Sequence, residues 1–210
     1  MPHLTFQVAQ DYLQAISEEL DVISKASGRS VSILKSEVDE ISRAQTLPEM
    51  LERARIDYRA PLDLAATGFD DDSFDLVYSY AVKAHLPDVT LRDGASEAKR
   101  VLKSGGIVAH SIGLQDPYNK LNGGHLIDFL QYSESVWGFL NHNSVQHNNR
   151  VRASQHLSIY TDLGATVLKT HVNVDQASRE RLRVLKIDRR FDGLSDEDLA
   201  TVSLAMVAQF

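Results

Sequence analysis

Four polar residues near the middle of the chain stand where an α/β protein can carry out chemistry. Asp63 lies just after a predicted strand, Ile56–Ala60, and Ser79 and Tyr80 close an apolar run, Phe74–Tyr80; His85 lies just beyond that run. The loops at the carboxyl ends of parallel strands form the crevice in which open α/β sheets bind ligands. A carboxylate, two hydroxyls and an imidazole at such ends can bind a small molecule and exchange protons with it.

His85 is the candidate catalytic residue. An imidazole titrates near neutrality and can take a proton from a nucleophilic hydroxyl or amine. The alternative is a surface histidine at the start of a helix, which the absence of an evident carboxylate partner favours. Asp63 has a similar alternative as a solvent-exposed turn residue, since aspartate is common in turns.

The elements that must position these residues form a strand–helix–strand unit. Phe74–Tyr80 reads as a buried strand, Thr90–Lys103 as a helix that Ser104, Gly105 and Gly106 end, and Ile107–Ile112 as a second strand. Two strands joined through a helix run parallel, so the sheet is at least partly parallel.

The segment before this unit is helical in pattern and has no glycine-rich turn. Apolar residues recur at helical spacing over Phe6–Lys25, and Ser30 and Thr46 can cap two further helices. Ile56–Ala60, which Pro61 ends, is predicted to be a strand.

The segment after the unit is predicted to alternate helices, a loop and an antiparallel hairpin that contains a helical insertion. The predicted ranges are helices over His125–Leu140, Ser154–Leu163 and Arg179–Lys186, an exposed loop over Asn141–Arg152, and strands over Ala165–Val174 and Thr201–Ala208.

Size and composition indicate one globular domain, residues 1–210, with a helical segment over 1–55 and an α/β portion over 56–210. The chain has 210 residues, a formal net charge of −7 and no cysteine. Disulfides and cysteine-ligated metals are therefore excluded, and a cytoplasmic location is expected. The negative charge disfavours nucleic acid as a partner, and no apolar run is long enough for a membrane span. A small molecule or a protein is the expected partner.

Two other kinds of site find little support. His142, His147 and His156 match no compact metal-ligand spacing, so we expect no metal. A serine hydrolase would need a nucleophile on a GxSxG turn, and that motif is absent.

The central stretch resembles class I S-adenosylmethionine-dependent methyltransferases of the type 11 group. Their pattern DxSFDLVxS…HLxD…RVLKPGG is similar to residues 72–79, 85–88 and 100–106 here. The likeness extends from about Leu47 to the C-terminus, with RIDYRAPLDLAATGF and NNRVRASQHL similar to the loops of one subgroup. The resemblance implies a Rossmann-like, mostly parallel sheet with a C-terminal antiparallel hairpin, and methyl transfer to a small molecule.

The resemblance also implies site residues. The aspartate after the family's third strand accepts a hydrogen bond from the adenine amino group, and the next backbone amide faces the ring. These positions are Asp63 and Leu64 here. The end of the fourth strand passes beneath the methionine part of S-adenosylmethionine, at Ser79 and Tyr80. Some relatives place a histidine that contacts the substrate where this chain has His85.

Three departures from the family pattern shape the expectation. The first two strands and the GxGxG turn have no counterpart in residues 1–55. Lys83 and Ala84 stand where Leu-Glu is usual, and Gly113 and Pro117 replace an acid and a histidine. The chain is therefore expected to be part of a longer protein, to have its sheet completed by a partner, or to carry Ile56–Ala60 beside the fourth strand. A non-catalytic remnant that pairs with itself through the open sheet edge is the alternative to an enzyme.

Overall fold

The computed structural model describes residues 5–118, 124–141 and 147–210. These residues form two compact units that divide between Pro61 and Leu62. Each unit is described by itself, and the single domain expected over residues 1–210 stays a prediction.

The described residues of the first unit form four helices, three of which are opened by a hydroxyl side chain that caps them. Thr5, Ser30 and Thr46 accept hydrogen bonds from backbone amides in the first turns, as N-cap residues do. The helix predicted over Phe6–Lys25 is two helices, because Glu19 leaves the helical conformation (φ −108°, ψ 14°). The helices are α1 (Phe6–Glu18), α2 (Leu20–Ser27), α3 (Val31–Ser42) and α4 (Leu47–Arg53).

The second unit is built on a mixed four-stranded sheet. Its strands are β1 (Phe74–Tyr80), β2 (Leu102–Gly113), β3 (Thr166–Val174) and β4 (Thr201–Gln209), in the order β1-β2-β4-β3. β1 and β2 are parallel, with Val77 opposite Val108 and Ser79 opposite His110. β4 is antiparallel to both β2 and β3. The predicted α/β fold class, with a parallel strand–helix–strand unit and an antiparallel C-terminal hairpin, is confirmed. The expectation of a mostly parallel sheet is wrong, because β4 runs antiparallel to both of its neighbours and only the β1–β2 pair of this sheet is parallel.

The core of this unit lies between the sheet and two helices, α5 (Asp88–Val101) and α7 (Ala153–Thr161). Leu91 and Ala95 of α5 and Tyr160 of α7 pack against Val108 and Leu204 of the sheet, and all five are buried. The other helical elements are α6 (Glu134–Leu140), α8 (Gln176–Leu182), α9 (Asp196–Ala200) and three short 3-10 turns at Lys83–His85, Asp128–Gln131 and Arg189–Phe191.

The strand predicted at Ile56–Ala60 is wrong. The structure gives these residues no strand conformation, and β2 is the only partner strand of β1 among the described residues. A run of five residues forms a strand only beside a neighbouring strand edge, and Pro61 offers no amide for pairing. The alternative in which this segment lies beside the fourth strand is thereby removed.

The glycines after α5 do not end that helix. α5 ends at Val101, and β2 starts at Leu102 with an extended backbone. Between the pairs Phe74–Leu102 and Leu76–Ile107 the register shifts, so the extra residues of β2 bulge out. Gly105 has φ +79°, and a Cβ on Gly106 would lie 2.7 Å from the carbonyl oxygen of Lys103. The two glycines therefore serve this bulge, which needs their conformational freedom.

β1 is an edge strand with an apolar face in contact with solvent. Leu76, Tyr78 and Tyr80 are 53%, 63% and 69% exposed. They share one face of β1 because strand side chains alternate, while Val77 packs into the core on the other face. The helices of the described part of the chain are all too short or too polar to cross a lipid bilayer.

Candidate functional site

A cleft of about 200 Å³ opens at the carboxyl ends of the parallel strands β1 and β2. It lies where open α/β sheets bind ligands. Ala81, directly after β1, has φ +55° and turns the chain away from the sheet at this point. The cleft is lined by the residues after the two strands and by a later segment: Ala81, Ala84, His85, Gly113, Leu114, Gln115, Pro117, Asn148, Asn149, Val151 and Arg152.

The later segment holds the turn that follows β1. The side-chain amide of Asn149 donates to the carbonyl oxygens of Lys83 (2.7 Å) and Leu86 (2.8 Å), and its backbone amide donates to Ala84 (2.9 Å). One asparagine thus satisfies three carbonyl groups of a turn that has few backbone bonds of its own. The prediction of an exposed loop over Asn141–Arg152 is wrong for the described part of this range, where Asn148, Arg150 and Arg152 are buried.

His85 lies in the cleft with its ring orientation fixed. Nδ1 is 3.0 Å from Oδ1 of Asn148 and 3.2 Å from the backbone oxygen of His147. Both atoms are acceptors, so the neutral ring carries its proton on Nδ1 and Nε2 is the basic nitrogen. Asn148 is itself held, because its carbonyl oxygen accepts bonds from the indole of Trp137 and the amide of Asn141.

Ser79 belongs to a chain of hydrogen bonds that runs into the core. Its hydroxyl lies 2.8 Å from Nδ1 of His110, and Nε2 of His110 lies 2.8 Å from the hydroxyl of Tyr160. His110 and Tyr160 are buried, and Ser79 is half-buried. Burial lowers the pKa of His110 to about 3, with help from the positive charge of Lys83, and raises that of Tyr160. The network therefore holds a neutral imidazole between two hydroxyls.

Lys83 and His156 are buried beside this network. Lys83 is 4% exposed, and burial lowers its pKa to about 8; its ammonium lies 5.5 Å from the centre of the Tyr160 ring. His156 is fully buried, and neither of its ring nitrogens has a hydrogen-bond partner among the described residues. Burial, together with the charges of Lys83 and Arg152, lowers its pKa to about 3.

Arg152 joins the cleft to the end of the sheet. Its guanidinium donates to the backbone oxygens of Leu114 (2.7 Å), Leu199 (3.3 Å) and Thr201, while its Nε has no partner. Arg152 is fully buried, which lowers its pKa to about 10. We call Lys83, His110, Arg152 and His156 the basic cluster.

Asp63 and Leu64 lie in a separate turn of the second unit. The carboxylate of Asp63 is exposed and accepts a hydrogen bond from the amide of Ala65 (2.9 Å). The side chain of Leu64 packs against Gly94 of α5. The apolar pocket that Leu64 lines includes Phe74 and Val77 but not Ser79, Tyr80 or Asp63.

Gly94 allows the close approach of Leu64 to α5. A Cβ at this position would lie 2.8 Å from two carbons of the Leu64 side chain. Glycine to alanine inside a helix normally stabilises by about 1 kcal/mol. Here we expect Gly94→Ala to destabilise the protein, because Leu64 must leave its position. Chemical denaturation of Gly94→Ala, Leu64→Ala and the double variant tests this: the alanine should be favourable once Leu64 is shortened, and equal effects in both backgrounds would contradict it.

His85 lies in the cleft, and Ser79 contacts His110 of the basic cluster. Asp63 and Leu64 line neither the cleft nor the basic cluster. The assigned roles of these residues stay predictions. Sequence reasoning missed Lys83, His110, Asn149 and Arg152 as parts of the site. Two features of the sequence could have indicated some of them. Lys83 lies two residues before His85, and the NNRVRASQHL segment contains Asn149 and Arg152. Gly113 and Pro117, where the family pattern has an acid and a histidine, both line the cleft.

The metal alternative gains nothing from the described residues. His142 lies outside them, and those that are described contain no group of three histidine, aspartate or glutamate side chains placed to hold an ion.

Comparison with known proteins gives one family match and many distant structural likenesses. Residues 21–110 match the family model described as "Methyltransferase domain". This range includes the pattern over residues 72–106, begins before Leu47, and ends before the NNRVRASQHL segment. No curated protein matches the chain.

Similar solved structures are methyltransferases at low identity. A S-adenosylmethionine-dependent methyltransferase of Methanosarcina mazei is 13% identical, with 80% of this chain and 78% of that one covered and a TM-score of 0.44. A protein of Galdieria sulphuraria assigned as a sarcosine dimethylglycine methyltransferase is 14% identical (77% and 64% covered, TM-score 0.42). Geranyl diphosphate C-methyltransferase of Streptomyces coelicolor is also 14% identical (77% and 58%, TM-score 0.45). Likeness of this degree carries no argument about activity.

The chain spans about 64% of the length of the Galdieria protein and 58% of the Streptomyces enzyme. The family match rests instead on the sequence of residues 21–110. Over that range the resemblance to methyltransferases is confirmed, and the matched segment is related to methyltransferase domains.

Proposed function

We propose that this protein takes part in the transfer of a methyl group from S-adenosylmethionine to a small-molecule acceptor, and that the cleft at the ends of β1 and β2 holds the acceptor. The observation that carries the proposal is the position of His85. The residue lies in that cleft, within the segment that matches the methyltransferase family, with its ring held by His147 and Asn148.

The role proposed for His85 is that of a base. Its Nδ1–H is committed to two oxygen acceptors, so Nε2 is the nitrogen that takes a proton from the acceptor's hydroxyl or amine. The Asn149 clamp keeps the 83–86 turn, and with it the imidazole, in one place. Positioning of this kind reduces the entropy that must be lost when acceptor and donor meet.

The described residues do not enclose S-adenosylmethionine. Asp63 is exposed in its own turn, Leu64 faces α5, and the Ser79 hydroxyl is bonded to His110. The cleft, at about 200 Å³, is smaller than the roughly 300–1,000 Å³ typical of sites for drug-sized ligands. We propose that Asp63–Leu64 and Ser79–Tyr80 come together only when the cofactor binds.

Calorimetric titration of S-adenosylmethionine into the protein tests this proposal. We expect saturable binding that Asp63→Ala weakens at least tenfold, because a hydrogen bond to a charged group is worth about 1.5–3 kcal/mol. Asp63→Asn keeps an oxygen for the Ala65 amide and separates the loss of charge from the loss of the turn. Asp70→Ala, an exposed aspartate of the same segment, is the matched control and should change the affinity less than twofold.

A second candidate function is a non-catalytic module that pairs with another copy of itself. The observation that favours it is the β1 edge, where Leu76, Tyr78 and Tyr80 are exposed beside a strand edge that has no partner among the described residues. Such edges are templates for pairing with another chain. Absence of cofactor binding, together with a concentration-dependent dimer in analytical ultracentrifugation that Leu76→Lys abolishes, would establish this function in place of the first.

A further inference from the structure

The basic cluster carries two positive charges in the interior of a chain that is acidic overall. The protein has a net charge of −7, yet the charged side chains of Lys83 and Arg152 are buried beside the neutral imidazoles of His110 and His156. Their proximity shows in their mutual influence: the charge of Lys83 acts on His110 and His156, and that of Arg152 acts on His156. Such a concentration in the interior is costly unless something negative balances it.

The described residues supply little of that balance. No ion pair in the described part of the chain includes Lys83 or Arg152, whereas the neighbouring Arg150 pairs with Glu134. Asp198 is the acid whose charge acts on Arg152. Asp116 is buried in the loop after β2, but its carboxylate accepts a hydrogen bond from the amide of Tyr118 (2.8 Å), and burial raises its pKa.

The cleft borders this cluster. Arg152 is among its lining residues, and so are Ala84 and His85, which directly follow Lys83 in the chain. None of the lining residues is acidic. A cleft with charges of one sign and low-dielectric walls focuses their field and concentrates ligands of the opposite sign.

Unsatisfied buried nitrogens point the same way. Among the described residues, the Nε of Arg152 and the two ring nitrogens of His156, one a donor and one an acceptor in the neutral ring, have no hydrogen-bond partner, although buried polar groups are normally hydrogen-bonded. Each of these buried atoms destabilises the folded protein, because it has lost its hydrogen bonds to water without a replacement. A negatively charged group that reaches the floor of the cleft would lower the cost of both the charges and the donors.

We propose that the cleft recognises an acceptor through a compact anionic group, a carboxylate or a phosphate, which lies against the basic cluster. The identification of the bound molecule as a methyl acceptor rests on the proposed function. The binding of its anionic group does not require S-adenosylmethionine. The group would be held by the field of Lys83 and Arg152 rather than by a surface ion pair, so its binding weakens little with added salt compared with that of exposed charges.

Lys83→Met provides the test, because the variant should fold at least as well as the parent. Replacing an uncompensated buried charge by an apolar side chain of similar length is often neutral or stabilising. Lys169→Met is the matched control, since it removes the same charge from an exposed position on β3.

The experiment is calorimetric titration of succinate, succinamide and inorganic phosphate into the full chain at constant ionic strength, without S-adenosylmethionine. We expect saturable binding of succinate or phosphate, none of the neutral succinamide, a loss of at least tenfold in Lys83→Met, and less than twofold in Lys169→Met. Equal binding of succinate and succinamide, equal losses in the two variants, or no anion binding would each overturn the proposal. Stronger binding of succinate than phosphate assigns a carboxylate, and the reverse a phosphate. If these anions do not bind and S-adenosylmethionine does, the anion-site proposal is overturned and the proposed function is retained.

Discussion

Acidification from pH 7.5 to pH 5 should lower the free energy of unfolding of the second unit by roughly 4 kcal/mol. The cause is the pair of buried histidines, His110 and His156. The folded pKa of each is about 3, against an ordinary value of 6.5. Below pH 6.5 the unfolded chain binds protons that the folded chain cannot accept, so the unfolded state gains. The stability contributed by neutral His110 and His156 is complete above pH 6.5 and is lost progressively as the pH falls towards 3.

Denaturant unfolding at several pH values, followed by the fluorescence of Trp137, measures this dependence. The expected slope between pH 6 and pH 5 is about 1.4 kcal/mol per pH unit for each histidine. His156→Leu should halve the total slope and stabilise the protein at pH 7, because both nitrogens of His156 lack partners. His171→Leu is the control, since His171 is exposed on β3 and meets water in both states. A stability that does not change down to pH 5 would show that the two imidazoles are not buried as described.

Loss of the Arg152 guanidinium should destabilise the second unit by about 3–5 kcal/mol. The group bonds backbone oxygens of three segments, of which the last two are contiguous: Leu114 after β2, Leu199 in α9 and Thr201 at the start of β4. In Arg152→Met these oxygens lose their donor inside the protein, and each unsatisfied buried group costs about 1–3 kcal/mol.

The matched control for Arg152→Met is Arg43→Met. The Arg43 side chain is 70% exposed and pairs with Glu40 on the surface, where an ion pair contributes between 0 and about 1 kcal/mol. Urea unfolding of both variants gives the comparison. Similar midpoints for Arg152→Met and the parent would contradict the role of Arg152 as the link between these three segments.

Local patterns sufficed to predict the elements that depend on local sequence. The caps at Ser30 and Thr46, the apolar run Phe74–Tyr80 and the alternation in Thr166–Val174 all act over a few residues, and the structure has a helix start or a strand at each. The segment Ile56–Ala60 differs, because a strand forms only if a partner edge is available, and no pattern within the run reports that. Ser104–Gly106 misled for a related reason: glycine ends helices and also permits bulges, and tertiary pairing decides between them.

The site was predictable only where it follows a strand directly. His85 was found because the residues after a parallel strand meet the ligand crevice. Arg152, Asn149 and His110 were missed because their importance depends on contacts across 38, 66 and 31 positions of sequence. A buried arginine or histidine is indistinguishable in sequence from a surface one.

We propose above that this protein binds its ligands at the carboxyl end of β1. Titration of the ¹⁵N-labelled protein with S-adenosylhomocysteine, followed by amide NMR, tests it most directly. We expect the largest amide chemical-shift changes at Asp63–Leu64 and at Ser79–His85, and little change at Leu47–Arg53 of the helical unit. Shifts confined to the helical unit, or no saturable shift at the end of β1, would contradict it.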